Sequence, residues 1–175
     1  MLLNLHNEQQ GLRTIEYQSA IKPGSRDYRM ALQILGQAYF NLEMWHTAAG
    51  RFSQLIGLSP SDPEAYTSRG GSYLALKQYA DAIKDLDQAV LLGPLDSKNF
   101  AARGQGYAEI GKFDLARADF SEAILLTPDS SDAYASRGYL SVQSGNYSSA
   151  FSDIDRAIEI SPINHDAYFM NTPLG

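Results

Sequence analysis

AYASRGYLSVQSGNYSSAFSDIDRAIEISP, residues 133–162, decides the fold. Its opening returns earlier in the chain as AYTSRG from Ala65 and FAARG from Phe100. Its closing proline belongs to a series, Pro60, Pro94, Pro128 and Pro162, spaced by 34, 34 and 34 residues. Glycines keep the same step at Gly36, Gly70, Gly104 and Gly138. Aromatic residues stand four places ahead of three of them, at Tyr66, Phe100 and Tyr134, with Leu32 in the first unit. Three places after the glycine come Tyr39, Tyr73, Tyr107 and then Ser141, the one departure. Further columns read Trp45/Tyr79/Phe113/Tyr147, Ala48/Ala82/Ala116/Ala150 and Phe52/Leu86/Phe120/Ile154. The last is Leu55/Ala89/Ala123/Ala157.

Each unit resolves into two helical stretches. Tyr66, Arg69, Gly70, Tyr73 and Leu74 lie three or four apart, as do Tyr79, Ala82, Ile83, Leu86, Ala89 and Val90. The short turn Leu76–Lys77–Gln78 separates them, and two other units carry Gly111 or Gly145 in that turn, suited to a positive φ. The proline ends the second helix. Glycine and alanine columns let two helices approach, and the aromatic and Leu/Phe/Ile columns fill the space beside them. A helix pair this short cannot bury its apolar face alone, so neighbouring pairs must stack.

This pattern resembles the tetratricopeptide-repeat (TPR) family, with its W-x₂-L-G-x₂-Y…A-x₃-F…P signature in a unit of about 34 residues. The resemblance implies an all-α fold, a right-handed superhelical α-solenoid of stacked antiparallel helix pairs. It covers residues 29–164 as four units, 29–62, 63–96, 97–130 and 131–164. Residues 1–28 read as an N-terminal capping helix or degenerate half-repeat, with Glu16, Tyr17, Ala20 and Ile21 resembling the end of a second helix. Lys22–Pro23–Gly24–Ser25 stops it, and Ser25 or Asp27 can cap the next helix. Residues 165–175 begin a fifth repeat in phase at His165–Asp166–Ala167–Tyr168 and break off after Asn171. Either the chain is a fragment of a longer repeat array, or another subunit covers an apolar face of Phe151, Ile154, Ile158, Tyr168 and Phe169.

The family pattern has leucine before the glycine, but here three units carry Arg69, Arg103 and Arg137, and only Leu35 keeps the hydrophobe. Sixteen residues on stand Asp85, Asp119 and Asp153, and in the first unit both members change together, to Leu35 and Arg51. The covariation across units suggests an ion pair between the two helices of a unit. The functional alternative is a row of arginines offered to an acidic ligand.

The chain of 175 residues is 44% hydrophobic, so it can build a core of ordinary size. It has no cysteine, which excludes disulfides and thiolate zinc sites. A net charge of −6 repels a phosphate backbone at long range, so nucleic acid is not the expected ligand. No apolar run is long enough to span a bilayer, and MLLNLHNEQQ lacks the form of a signal peptide, so a cytoplasmic chain without membrane insertion is expected.

Catalytic constellations are lacking. His6, His46 and His165 have no partner at metal-ligand spacing, and no phosphate-binding loop or nucleophile elbow occurs. The carboxylates at Asp81/Asp85/Asp87 and Asp153/Asp155/Glu159 are better explained as a solvated face plus ion pairs. No enzyme activity, cofactor or metal is expected.

Binding of another protein remains. The resemblance implies a concave groove lined by the first helix of each unit, which holds a peptide or helix of a partner. The residues placed there are Gln33, Gln37, Phe40 and Asn41, then Thr67 and Leu74. The third unit adds Lys98, Gln105 and Glu109, and the fourth Tyr139, Val142 and Gln143. Some family members grip a C-terminal carboxylate in this groove with lysine, asparagine and arginine. The corresponding positions here are Gln33, Gln37, Ser68, Lys98 and Ala102, of which only Lys98 fits. Self-association through the C-terminal apolar face is the alternative.

Overall fold

The computed structural model describes residues 25–162. The half-repeat expected over residues 1–28 and the fifth repeat at 165–175 lie wholly or largely outside them, as do Tyr168, Phe169, His6 and His165. Every element among the described residues is an α-helix. Contacts divide the chain into two compact units, Met1–Leu92 and Gly93–Gly175. The first holds α1 (Arg26–Asn41), α2 (Trp45–Leu58), α3 (Pro63–Ala75) and α4 (Tyr79–Leu92). The second holds α5 (Ser97–Glu109), α6 (Phe113–Leu126), α7 (Ser131–Gln143) and α8 (Tyr147–Ile160).

In each unit the helices pack as two antiparallel pairs, and the second helix of the first pair packs on the first helix of the next. The glycine column is where the two helices of a pair meet. A Cβ on Gly36 would come within 2.5 Å of the Phe52 ring, and one on Gly70 within 2.8 Å of Leu86 Cγ. Those partners are the Phe/Leu column, so the two columns form one contact repeated in each pair. Around it lie the fully buried alanines Ala48, Ala82, Ala116 and Ala150.

Local signals set the helix ends. Asp62 caps α3 by accepting from the Glu64 amide at 3.1 Å, with Pro63 in the first turn. Asp96 does the same for α5 through Lys98 N, and Ser130 caps α7 through Ala133 N. Ser25 caps α1 by accepting from Tyr28 N at 3.1 Å, as its residue type suggests. The helix therefore starts at Arg26, ahead of the repeat phase at 29, and runs for 16 residues against 13 for α3. Second helices stop just before the proline column: Ser59, Thr127 and Ser161 are the C-caps of α2, α6 and α8.

The turn inside each pair needs one left-handed residue. Gly111 (φ 74°) and Gly145 (φ 71°) supply it in the second unit, while Glu43 and Lys77, each at φ 59°, supply it in the first. Glycine reaches this region without strain, whereas a side chain there costs about 1 kcal/mol or more.

Candidate protein-binding face

The arginine column is committed to the fold. Arg69 Nε and Nη2 donate to the two carboxylate oxygens of Asp85 at 2.6 and 2.8 Å. Arg103 holds Asp119 in the same fork at 2.8 and 2.8 Å, and Arg137 holds Asp153 at 2.8 and 2.7 Å. The three aspartates are buried. A third donor, Nη1, ties Arg69 to the Ser53 hydroxyl and Arg137 to that of Ser121, each at 3.1 Å, so the ion pair also joins consecutive helix pairs. The hydrogen bond to the aspartate raises the Arg69 and Arg137 pKa values further, against the opposing effect of burial. A raised base contributes its stability below its ordinary pKa and loses it only as pH climbs through the raised value. These pairs therefore keep the guanidinium side charged wherever the protein folds. In the first pair Leu35 is buried with Tyr39, Ala48 and Phe52, and Arg51 lies over the Tyr39 ring at 5.8 Å. The alternative of arginines offered to a ligand is thereby set aside for Arg69, Arg103 and Arg137.

The candidate positions on the first helices differ between the two units. In the first unit the polar side chains partly satisfy one another. Gln33 Nε2 donates to Glu64 Oε1 at 3.1 Å, linking α1 to α3, and Gln37 Nε2 donates to Asn41 Oδ1 at 2.9 Å. Thr67 is half-buried and its hydroxyl donates to the Pro63 carbonyl at 3.0 Å. Leu74 is half-buried as well. Phe40, expected to grip a ligand side chain, is also half-buried and packs on the cluster of Leu35, Tyr39, Ala48 and Phe52. Its ring edge faces Gly71, so only part of the ring remains for a partner.

In the second unit the six positions are all exposed: Lys98, Gln105 and Glu109 on α5, and Tyr139, Val142 and Gln143 on α7. Tyr139 is 55% and Val142 39% exposed, although α7 buries Leu140 between them on its other side. Sequence columns did not reveal two buried polar side chains nearby. Asn99 stands in the column of Ala65 and Ala133, only 1% exposed, and donates to the Gly93 carbonyl at 2.9 Å. Ser72 is fully buried and donates to the Ser68 carbonyl.

A family profile described as tetratricopeptide repeat matches residues 35–99 and 101–164. The chain belongs to the tetratricopeptide-repeat family. Among solved structures it is similar to a thermophilic TPR protein of Thermus thermophilus, with a TM-score of 0.78 at 21% identity, covering 97% of this chain and 91% of that one. It is also similar to MamA from Desulfovibrio magneticus RS-1, with a TM-score of 0.75 at 20% identity and coverage of 91% and 89%. The first TPR of Spaghetti (RPAP3), bound to an HSP90 peptide, aligns with a TM-score of 0.64 at 23% identity, over 69% of this chain and 96% of that one. No curated protein sequence matches significantly. At these identities the structural likeness speaks to the TPR fold alone. The described residues of this TPR chain contain no group of three or more His, Asp or Glu placed to hold a metal ion. None of their helices is long and apolar enough to cross a membrane.

Proposed function

We propose that this TPR chain is a non-catalytic scaffold that binds a peptide or helix of another protein along the outward faces of its first helices. The observation that carries the reading is the exposed pair Tyr139 and Val142 on α7, standing among the exposed polar side chains Gln105, Glu109 and Gln143. An aromatic anchor beside an aliphatic one, rimmed by amides, suits an apolar partner side chain with its backbone hydrogen-bonded alongside. Lys98 would widen this face in the second unit, and Gln33, Gln37, Phe40, Asn41, Thr67 and Leu74 would form the corresponding face of the first unit taken by itself. Recognition of a C-terminal carboxylate is not part of the proposal, because only Lys98 offers a cation among the positions that would hold it.

The test is an affinity capture from native extract, run for the wild type and for a Gln105→Arg/Tyr139→Ala variant shown to melt like it. A protein captured by the wild type and lost with the variant supports the reading. A partner held equally by both excludes this face.

Self-association is a second reading, favoured by one stripe on α8. Tyr147 is 59% and Phe151 67% exposed, and Ile154 and Ile158 continue the same helical face half-buried. Sedentation mass that rises with concentration, and stays monomeric in Phe151→Asp, supports it. A monomer at all concentrations removes it.

A further inference from the structure

The tyrosine column breaks once, at Ser141, and the break has a consequence. In the first unit the Arg69 guanidinium carbon lies 5.9 Å from the centre of the Tyr73 ring, so a phenol occupies the space beside the ion pair. At the matching place in the second unit Ser141 is 3% exposed and its hydroxyl donates back to the Arg137 carbonyl at 3.1 Å. The ring is absent there, and a cavity of about 470 Å³, open to solvent, lies next to Arg137.

The cavity wall is polar. It includes Arg117 of α6, Arg137 of α7, and Ser148, Ser149, Ser152 and Asp153 of α8. Arg137 and Asp153 neutralise each other in their fork. Arg117 is held differently. Its side chain is 42% exposed, and its contacts are long: 3.4 Å to the fully solvated Asp114 and 3.3 Å to the Ser144 hydroxyl. The lining itself thus carries Arg117 and Arg137 against Asp153, with Asp114 pairing Arg117 from outside it through a solvated contact. Ser148 and Ser149 stand in the first turn of α8; the Ser149 amide is already capped by Asn146 Oδ1 at 3.4 Å, so it is their hydroxyls that the wall offers to a ligand. None of this is required by the repeat. The matching residues are Asp114, Leu115 and Ala118 in the third unit and Ala80, Asp81 and Lys84 in the second, and Arg117 itself aligns with Ile83.

We propose that this cavity binds a phosphomonoester, with Arg117 on the phosphate and the α8 hydroxyls donating to its remaining oxygens. A phosphate monoester presents three strong acceptor oxygens, which suits one guanidinium plus several converging hydroxyls better than a two-oxygen carboxylate does. The volume leaves room for a polar organic part, either a free sugar phosphate or a phosphorylated side chain of another protein.

Calorimetric titration of the full chain tests this with inorganic phosphate, ribose 5-phosphate, and a phosphoserine peptide beside its unphosphorylated form. Saturable binding of a phosphorylated ligand is expected, weakened about tenfold or more in Arg117→Ala. Ser141→Tyr, which returns a phenol to the space beside Arg137 and takes up part of the cavity, should weaken it as well while melting no lower than wild type. Should that variant fold poorly, Ser149→Glu places a carboxylate at the same wall in an exposed first turn and gives the same readout. Tighter binding of the sugar phosphate identifies a small metabolite, and tighter binding of the phosphopeptide identifies a modified protein. Either upholds the site. Absence of binding at millimolar ligand overturns the proposal. So does binding unchanged by Arg117→Ala, or binding left unchanged by both the added ring and the added carboxylate.

Discussion

In the first unit, one helix pair is joined by hydrocarbon and the other by an ion pair. In the second unit both pairs are joined by ion pairs. The backbone solution is the same throughout. Leu35 fills the place of Arg69, and Arg51 that of Asp85, yet both pairs close on the same glycine contact, Gly36 with Phe52 and Gly70 with Leu86. The hydrophobic joint needs only volume. The ion-pair joint needs direction as well, because a buried carboxylate must have its donors. The comparison teaches that the fold depends on filling this place compatibly, while the choice of filling decides what each joint will tolerate.

The largest expected effect comes from breaking an ion-pair joint on one side only. Asp119→Ala leaves the mostly buried Arg103 without its forked partner and should lower stability by about 3 kcal/mol in denaturant unfolding. An unchanged midpoint would show that the fork contributes nothing. The comparison sharpens if the second pair is rewritten as the first. Arg69→Leu combined with Asp85→Arg reproduces the Leu35/Arg51 arrangement, with Tyr73 in the place of Tyr39. It should fall within about 1 kcal/mol of wild type, whereas Asp85→Ala alone should resemble Asp119→Ala. A double variant as damaged as the single one would mean that the hydrophobic joint works only in its own surroundings.

Next comes the glycine contact shared by both kinds of joint. Gly36→Ala pushes a methyl into the Phe52 ring and should cost about 1–3 kcal/mol, partly relieved by Phe52→Leu. Gly57, at the exposed end of α2, has nothing within 4 Å of an added Cβ. Gly57→Ala should therefore stabilise by about 0.5–1 kcal/mol, the same change with the opposite sign. The turns give the other small effect. Lys77→Gly should raise stability by up to about 1 kcal/mol in denaturant unfolding, and Gly111→Ala should lower it by a similar amount, since φ is positive at both.

Much of this was legible because a repeat states its constraints several times. Four prolines, four glycines and the aromatic columns marked out the described helix pairs and their turns, although α1 starts at Arg26, ahead of the repeat phase. The Arg–Asp pairing was legible too, because Leu35 and Arg51 change together. The binding face was legible only as a set of positions. Periodicity says which side of a helix points away from the core, but not how much of a side chain remains free. Phe40 shows the difference, since its ring is drawn into the cluster of Tyr39 and Phe52, whereas Tyr139 stays exposed. Asn99 is another case, an amide in an alanine column that becomes sensible only once the Gly93 carbonyl lies within reach.

The sequence by itself determined the family, the helix pairs and the aspartate partners of Arg69, Arg103 and Arg137. These depend on spacing along one chain, and spacing is written directly in the residues. Tertiary structure alone decided that Nη1 of Arg69 and Arg137 reaches a serine of the preceding helix pair, and that a cavity lies beside Arg137 where Ser141 takes the tyrosine's place. Those outcomes depend on distances between side chains from different helices, which are fixed only when the helices pack.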